Sequence, residues 1–208
     1  MKIVVVSDTH GNRKNLETAL DFAYSLEIET ALHCGDIGDP ICLEPFSRFN
    51  GFFALGNVDR DYADLNARIR RMYASNSEDA PKGRLAPFHE IRLADTPVAL
   101  CHGHTETLSR LIDSGANRIV FHGHTHRRKN ELVAVGGRAA SHDGRSSPDK
   151  TNDDDGATVR IINPGALGGV RHQSRSFCIV DGETRHCEFY EIPAAMRGCV
   201  PRRIADPL

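Results

Sequence analysis

Eight residues in short polar stretches carry side chains suited to holding divalent cations: Asp8 and His10, then Asp36, Asn57, His102 and His104, and finally His124 and His126. Five of the eleven histidines fall between positions 102 and 126, far denser than an even spread. Carboxylate, carboxamide and imidazole donors without thiolate match first-row divalent metals such as Mn, Fe, Co, Ni or Zn. They match an all-oxygen calcium or magnesium cage poorly. The spacing of Asp8 with His10, and of His124 with His126, puts both members of each pair on one side of a chain that starts extended, so each pair can chelate. Leaving His104 aside, seven donors exceed what one tetrahedral ion accepts, so two ions are expected. Asp8 alone reads as an ordinary loop carboxylate; the full set carries the weight.

Along the chain, the segments that carry these donors repeat one grammar. Ile3 to Val6 is a β-branched run that predicts a buried strand ending in Ser-Asp-Thr-His-Gly-Asn. Leu16, Ala19, Leu20, Ala23 and Leu26 then recur at helical spacing from Arg13, with Asn12 as N-cap. Thr30 to His33 predicts a strand running into Cys34-Gly35-Asp36, and Phe52 to Leu55 another running into Gly56-Asn57-Val58-Asp59. Asp61 to Tyr73 reads as an exposed helix and 75–87 as a loop. Strands follow at Phe88 to Leu93 and Pro97 to Leu100, the second delivering His102 and His104. A helix from Thr105 to Ser114 takes Thr105 as cap, and a strand from Arg118 to Phe121 delivers His122, His124 and His126. Thr158 to Ile162 is a strand before an Asn163-Pro164-Gly165 turn, and Ser176 to Tyr190 reads as a hairpin turning at Asp181-Gly182. Five strands thus end in polar, glycine-containing loops, and in α/β sheets such loops gather where ligands bind.

Composition narrows the classes. A chain of 208 residues with 39% hydrophobic and 26% charged residues is neither disordered nor coiled coil, and one domain spanning 1–208 is expected. A stretch rich in Gly, Ser, Asp and Arg at 136–156 reads as a flexible insertion. The net charge of -2 argues against general capture of nucleic acid or an anionic membrane. No apolar run approaches the roughly 20 residues that span a bilayer, and neither a membrane span nor a signal peptide is expected. Six cysteines without a Cys-x-x-Cys pair read as reduced thiols, and a cytoplasmic location is expected.

In order, the motifs are SDTHGN, GDIGD, GNVD, CHGH and GHTH. This series resembles the calcineurin-like metallophosphoesterase superfamily from Lys2 to about Tyr190. GNVD and the later INPGALGG look like its small prokaryotic phosphodiesterase branch. The resemblance implies an α/β fold, a four-layer α/β/β/α sandwich of two mixed sheets with flanking helices. It implies that Asp8, His10 and His126 hold one metal and Asn57, His102 and His124 the other, with Asp36 bridging. Manganese is expected first, with nickel, cobalt, zinc or iron as alternatives. Two such cations, about 3.5 to 4 Å apart, lower the pKa of a shared water and clamp phosphoryl oxygens, so a hydroxide attacks phosphorus without a protein nucleophile. The substrate implied is a small or activated phosphodiester. A phosphomonoesterase, protein phosphatase or nuclease on the same site is the alternative, and the resemblance also covers a retromer subunit that works as an interaction scaffold. Retention of all seven donors favours catalysis over a scaffold. Oligomeric state stays open, a homodimer included.

Val58 departs from the pattern, because many superfamily members carry there a histidine thought to protonate the leaving group. Asp39, which would orient that histidine, loses its partner. His104 is the nearest substitute as general acid or phosphate contact, so Asp36, Asn57 and His104 form the expected catalytic set. His33 reads as a half-buried structural histidine rather than one that orients a ligand. His122 is weak as a ligand, and Asn163 is read as a turn residue. Arg171, His172 and the Arg127-Arg128-Lys129 triplet read as solvated charges, and His89, His142 and His186 as surface or packing residues.

Overall fold

Alternation along the first strand sets the architecture. In β1 (Lys2–Val6), Ile3 and Val5 point one way and Val4 and Val6 the other, and all four are fully buried. A strand apolar on both faces needs a cover on each. The computed structural model describes residues 1–74, 82–135, 158–168, 175–193 and 200–207. The expected 136–156 insertion lies outside them, as do Arg171, His172 and His142.

β1 sits inside a seven-stranded sheet. On one side it pairs in parallel with β2 (Thr30–His33), which continues into β3 (Asn50–Ala54) and β4 (Gly83–Ala86). On the other it pairs antiparallel with β10 (Arg175–Asp181), followed by β11 (Cys187–Ile192) and β12 (Arg202–Ile204). A second, five-stranded sheet runs β5 (Phe88–Leu93), β6 (Thr96–Cys101), β7 (Ile119–Phe121), β9 (Thr158–Asn163) and β8 (Lys129–Ala134). Its central strands β6, β7 and β9 are parallel and its edge strands antiparallel.

Three apolar clusters fill the three gaps between four layers. Ile3, Val5, Leu32 and Val180 of the first sheet meet Val98, Leu100, Phe121 and Ile162 of the second. The outer face of the first sheet, with Val4, Val6, Phe53 and Phe177, is covered by Leu16 and Leu20 of α1 (Arg13–Ser25). Phe46 of a 3-10 helix (Pro40–Arg48) and Leu65 and Ile69 of α2 (Tyr62–Met72) complete that cover. The outer face of the second sheet packs Ala99 and Val120 on Leu111 of α3 (Thr107–Asp113). Each large apolar side chain so buried contributes roughly 1.5–3 kcal/mol over exposure. The result is an α/β/β/α sandwich of two mixed sheets, as expected.

Several local expectations are corrected. The helix expected over Thr105 to Ser114 covers Thr107–Asp113 with Glu106 at the cap position, and Thr105 Oγ1 instead accepts from the Thr107 amide in the turn before it. The helix from Tyr62 is amphipathic rather than simply exposed. Within the expected 75–87 loop, Gly83–Ala86 pairs with β3. The 3-10 helix and the edge strands β8 and β12 were not foreseen. Among the described residues, no helix is long and apolar enough to cross a membrane.

Candidate metal centre

Five parallel strands deliver the donors from their carboxyl ends: β1 leads to Asp8 and His10, β2 to Asp36, β3 to Asn57, β6 to His102 and His104, and β7 to His124 and His126. The loops are laced to one another through backbone bonds. Asp8 N donates to Gly35 O at 3.0 Å, His10 N to Asp36 O at 3.0 Å, and Gly123 N to His102 O at 3.0 Å. The backbone is not extended, as the two-residue spacing argument supposed. Asp8, His10, Asp36, His124 and His126 all have positive φ, between 48° and 67°. Each paired chelate converges by a left-handed bend, a conformation that costs non-glycine residues energy and concentrates at functional sites.

All seven expected donors come together. One ligand atom from each of Asp8, His10, Asp36 and His126 lies within 4.8 Å of the others. His126 Nε2 stands 3.2 Å from Asp8 Oδ1 and 3.2 Å from His10 Nε2. On the other side of Asp36, Asn57 Oδ1 lies 3.1 Å from both His102 Nε2 and His124 Nδ1, and His102 Nε2 lies 3.4 Å from Asp36 Oδ1. His104, exposed, has its ring centroid 5.2 Å from that of His102 and 6.1 Å from that of His124. A cavity of about 550 Å³ opens over the group, lined by His10, Asp36, Asn57, Val58, His124, Thr125 and His126.

Proton bookkeeping tests whether cations fit. His102 Nδ1 donates to Cys34 O at 2.8 Å, so Nε2 of the neutral ring carries a lone pair. That lone pair faces two oxygens that also only accept, on Asp36 and Asn57. In the first set, two imidazole nitrogens face one another beside a carboxylate. Acceptors packed this closely repel unless a positive charge lies among them, and a divalent cation fits that requirement. The same field shows in the protonation equilibria. Burial works to raise the Asp36 pKa, but the hydrogen bond from His102 when that ring is protonated, the Val58 amide and the His102 and His10 charges hold it at about 2. Burial disfavours charge on His102 too, yet the Asp36 bond and the Asp8 charge raise its pKa. His104 moves down, through burial and then the neighbouring His102 and His124.

Residues read as structural do more than packing. His33 is fully buried rather than half-buried. Asn163, also fully buried, holds the β7 loop from β9: its Nδ2 donates to Gly123 O at 2.8 Å and Thr125 Oγ1 at 3.1 Å, while Oδ1 accepts from Gly165 N at 2.9 Å. Asp59 ties two loops by accepting from Gly38 N at 3.0 Å and Gly56 N at 2.9 Å. Its only sequence signal was its place at the end of GNVD. Asp39, without the histidine partner, caps the 3-10 helix by accepting from Ile41 N at 2.9 Å. Val58 is 38% exposed and lines the cavity, and its amide donates to Asp36 Oδ1 at 3.0 Å. His122 is buried and bonded through Nδ1 to Gly123 O at 3.1 Å.

Comparison with known proteins agrees with this geometry. The family model for the calcineurin-like phosphoesterase superfamily domain matches residues 1–185. A phosphodiesterase of Methanocaldococcus jannaschii is 29% identical over 195 residues, covering 92% of this chain and 98% of that protein. A solved structure described as a novel archaeal phosphodiesterase superposes with a TM-score of 0.72 at 26% identity, covering 92% of this chain and 100% of the other. A phosphoesterase from E. coli shares the fold at a TM-score of 0.52 and 15% identity, over 90% of this chain and 96% of its own.

Proposed function

The chain belongs to the calcineurin-like phosphoesterase superfamily and is a phosphoric ester hydrolase, and from that premise we propose that it is a binuclear, metal-dependent phosphodiesterase acting on a small or activated phosphodiester. The observation that carries this reading is the pair of closely packed donor sets that share Asp36. Asp8, His10 and His126 would hold one divalent ion, Asn57, His102 and His124 the second, and Asp36 would bridge them. Manganese is the first choice, with nickel, cobalt, zinc and iron as the other metals this donor set suits. Bound there, two such ions would acidify a water and neutralise charge growing on the phosphoryl oxygens.

The chain's own residues set what kind of ester reacts. Asp8 and Asp36 carry the negative charge that draws the cations in, and Asn57 adds a neutral oxygen to one set only. Val58 has no proton to give a leaving group, so a good leaving group is favoured. His104, exposed beside His102 and His124, contributes general-acid or phosphate-contact chemistry. The phosphodiesterase relative supports a diester over a phosphomonoester or phosphoprotein substrate.

The test is an assay of metal-stripped protein on bis-aryl and mono-aryl phosphates, with Mn, Ni, Co, Zn and Mg added back in turn. Mn or a neighbouring transition metal restores hydrolysis of the bis-aryl ester, and Asp36→Asn removes it by weakening both sets. Rates from the stripped protein and from Asp36→Asn that match the metal-loaded wild type reject the mechanism. Faster turnover of the mono-aryl ester transfers the assignment to a phosphomonoesterase, and inactivity with every metal leaves the scaffold reading.

A further inference from the structure

Two of the donor loops are joined by one buried side chain that is not itself a donor. His33, the last residue of β2, is exposed to neither solvent nor cavity: its relative accessibility is 0%. Its Nδ1 accepts from Gly35 N at 3.1 Å, so the neutral ring carries its proton on Nε2. That proton is donated to Thr9 Oγ1 at 2.7 Å. The ring face packs against Phe46 of the 3-10 helix, with centroids 5.9 Å apart, which fixes its orientation. Thr9 is also fully buried and lies between Asp8 and His10, while Gly35 precedes Asp36. The three donors flanking these contact points have φ of 51°, 48° and 57°. Backbone bent this way persists only where its surroundings over-determine it.

We propose that His33 is a positioning residue of the metal centre: through Thr9 and Gly35 it holds Asp8 and His10 at the spacing from Asp36 that the first cation requires. This role presupposes the two-cation reading of the centre. His33 meets neither cation nor substrate; it acts through the loop that carries Asp8 and His10. Asp59 makes the equivalent tie one loop further on, between Gly38 and Gly56, so the His33 tie bears on the Asp8 and His10 side in particular.

The role is read by titrating metal-stripped protein with Mn²⁺ in a calorimeter. Thr9→Val removes the hydroxyl at nearly constant volume, and His33→Phe keeps a ring against Phe46 while removing both nitrogens. Wild-type protein takes up two equivalents. In each variant one equivalent weakens by roughly 10–100-fold, the loss typical of groups that orient metal ligands, and the other stays within a few-fold of wild type. The double variant binds no more weakly than His33→Phe alone, because both changes cut one tie. Thermal melts of the metal-free variants verify that each is folded, and should His33→Phe not fold, Thr9→Val decides alone. Wild-type affinity for both equivalents in Thr9→Val, or an equal loss at both, overturns the role while leaving the two-cation reading standing. Fewer than two equivalents in the wild type overturns both.

Discussion

Glycine opens three of the donor motifs, and at Gly56 and Gly123 the reason is room. A Cβ on Gly56 would fall 2.1 Å from Asp36 Oδ1 and 2.2 Å from Asp36 N. One on Gly123 would fall 1.9 Å from Ser7 Oγ and 2.6 Å from Asp8 Oδ2. These contacts press adjacent strand ends together until donors from different loops meet. Gly56→Ala therefore displaces Asp36, destabilising the protein by about 1–3 kcal/mol as overpacking does. Mn²⁺ affinity should fall with it, since Asp36 serves both sets; denaturant melts and metal titration of the same preparation check the two effects. The donors themselves were legible because their types and order recur at strand ends. Their backbone was not: an extended chain brings residues two apart onto one side, but here the left-handed bends at Asp8, His10, His124 and His126 do so. His33, Asp59 and Asn163 were illegible as supports because their partners are backbone atoms of other loops, distant in sequence.

At the scale of elements, spacing read well wherever one rule governed. Asn12 was expected to cap α1, and its side chain accepts from Asn15 N at 3.2 Å, where an uncapped helix would leave that amide without a partner. Asn12→Ala should cost about 0.5–2 kcal/mol, seen as a lower melting temperature with no change in the helix content of the folded baseline. Where two rules competed, the reading failed. Pro45 breaks any α-helical pattern, yet the segment between Asp39 and Phe49 winds as a 3-10 helix that buries Cys42, Leu43 and Phe46 against the first sheet. The edge strand β8 opens on Lys-Asn-Glu and β12 has only three residues, so neither shows the apolar alternation that marks a strand, and the neighbouring strand's free edge defines them.

For the molecule as a whole, the four-layer order came from resemblance rather than from pattern, because a strand buried on both faces shows no alternation of polarity to assign its sides. The structure supplies that assignment: Ile3 and Val5 face the second sheet, Val4 and Val6 the helices. Burial of polar groups at the junction of these layers also sets acid sensitivity. Burial drives the His33 pKa down to about 4 against the pull of Asp59 and Asp8, while the unfolded chain keeps the ordinary 6.5. Below pH 6.5 the unfolded state takes up the proton first, so this contribution is complete above that pH and is lost as pH falls towards 4, about 3 kcal/mol in all. Urea unfolding at pH 7 and pH 4.5 should show a smaller loss in His33→Phe than in the wild type; an identical loss would assign the acid sensitivity elsewhere.

Every functional conclusion depends on two cations sharing Asp36. Anomalous diffraction from crystals of the Mn²⁺-loaded protein tests this most directly. Two peaks are predicted, one among Asp8, His10 and His126 and one among Asn57, His102 and His124, with the Asp36 carboxylate between them. A single peak, or peaks outside these side chains, would contradict it.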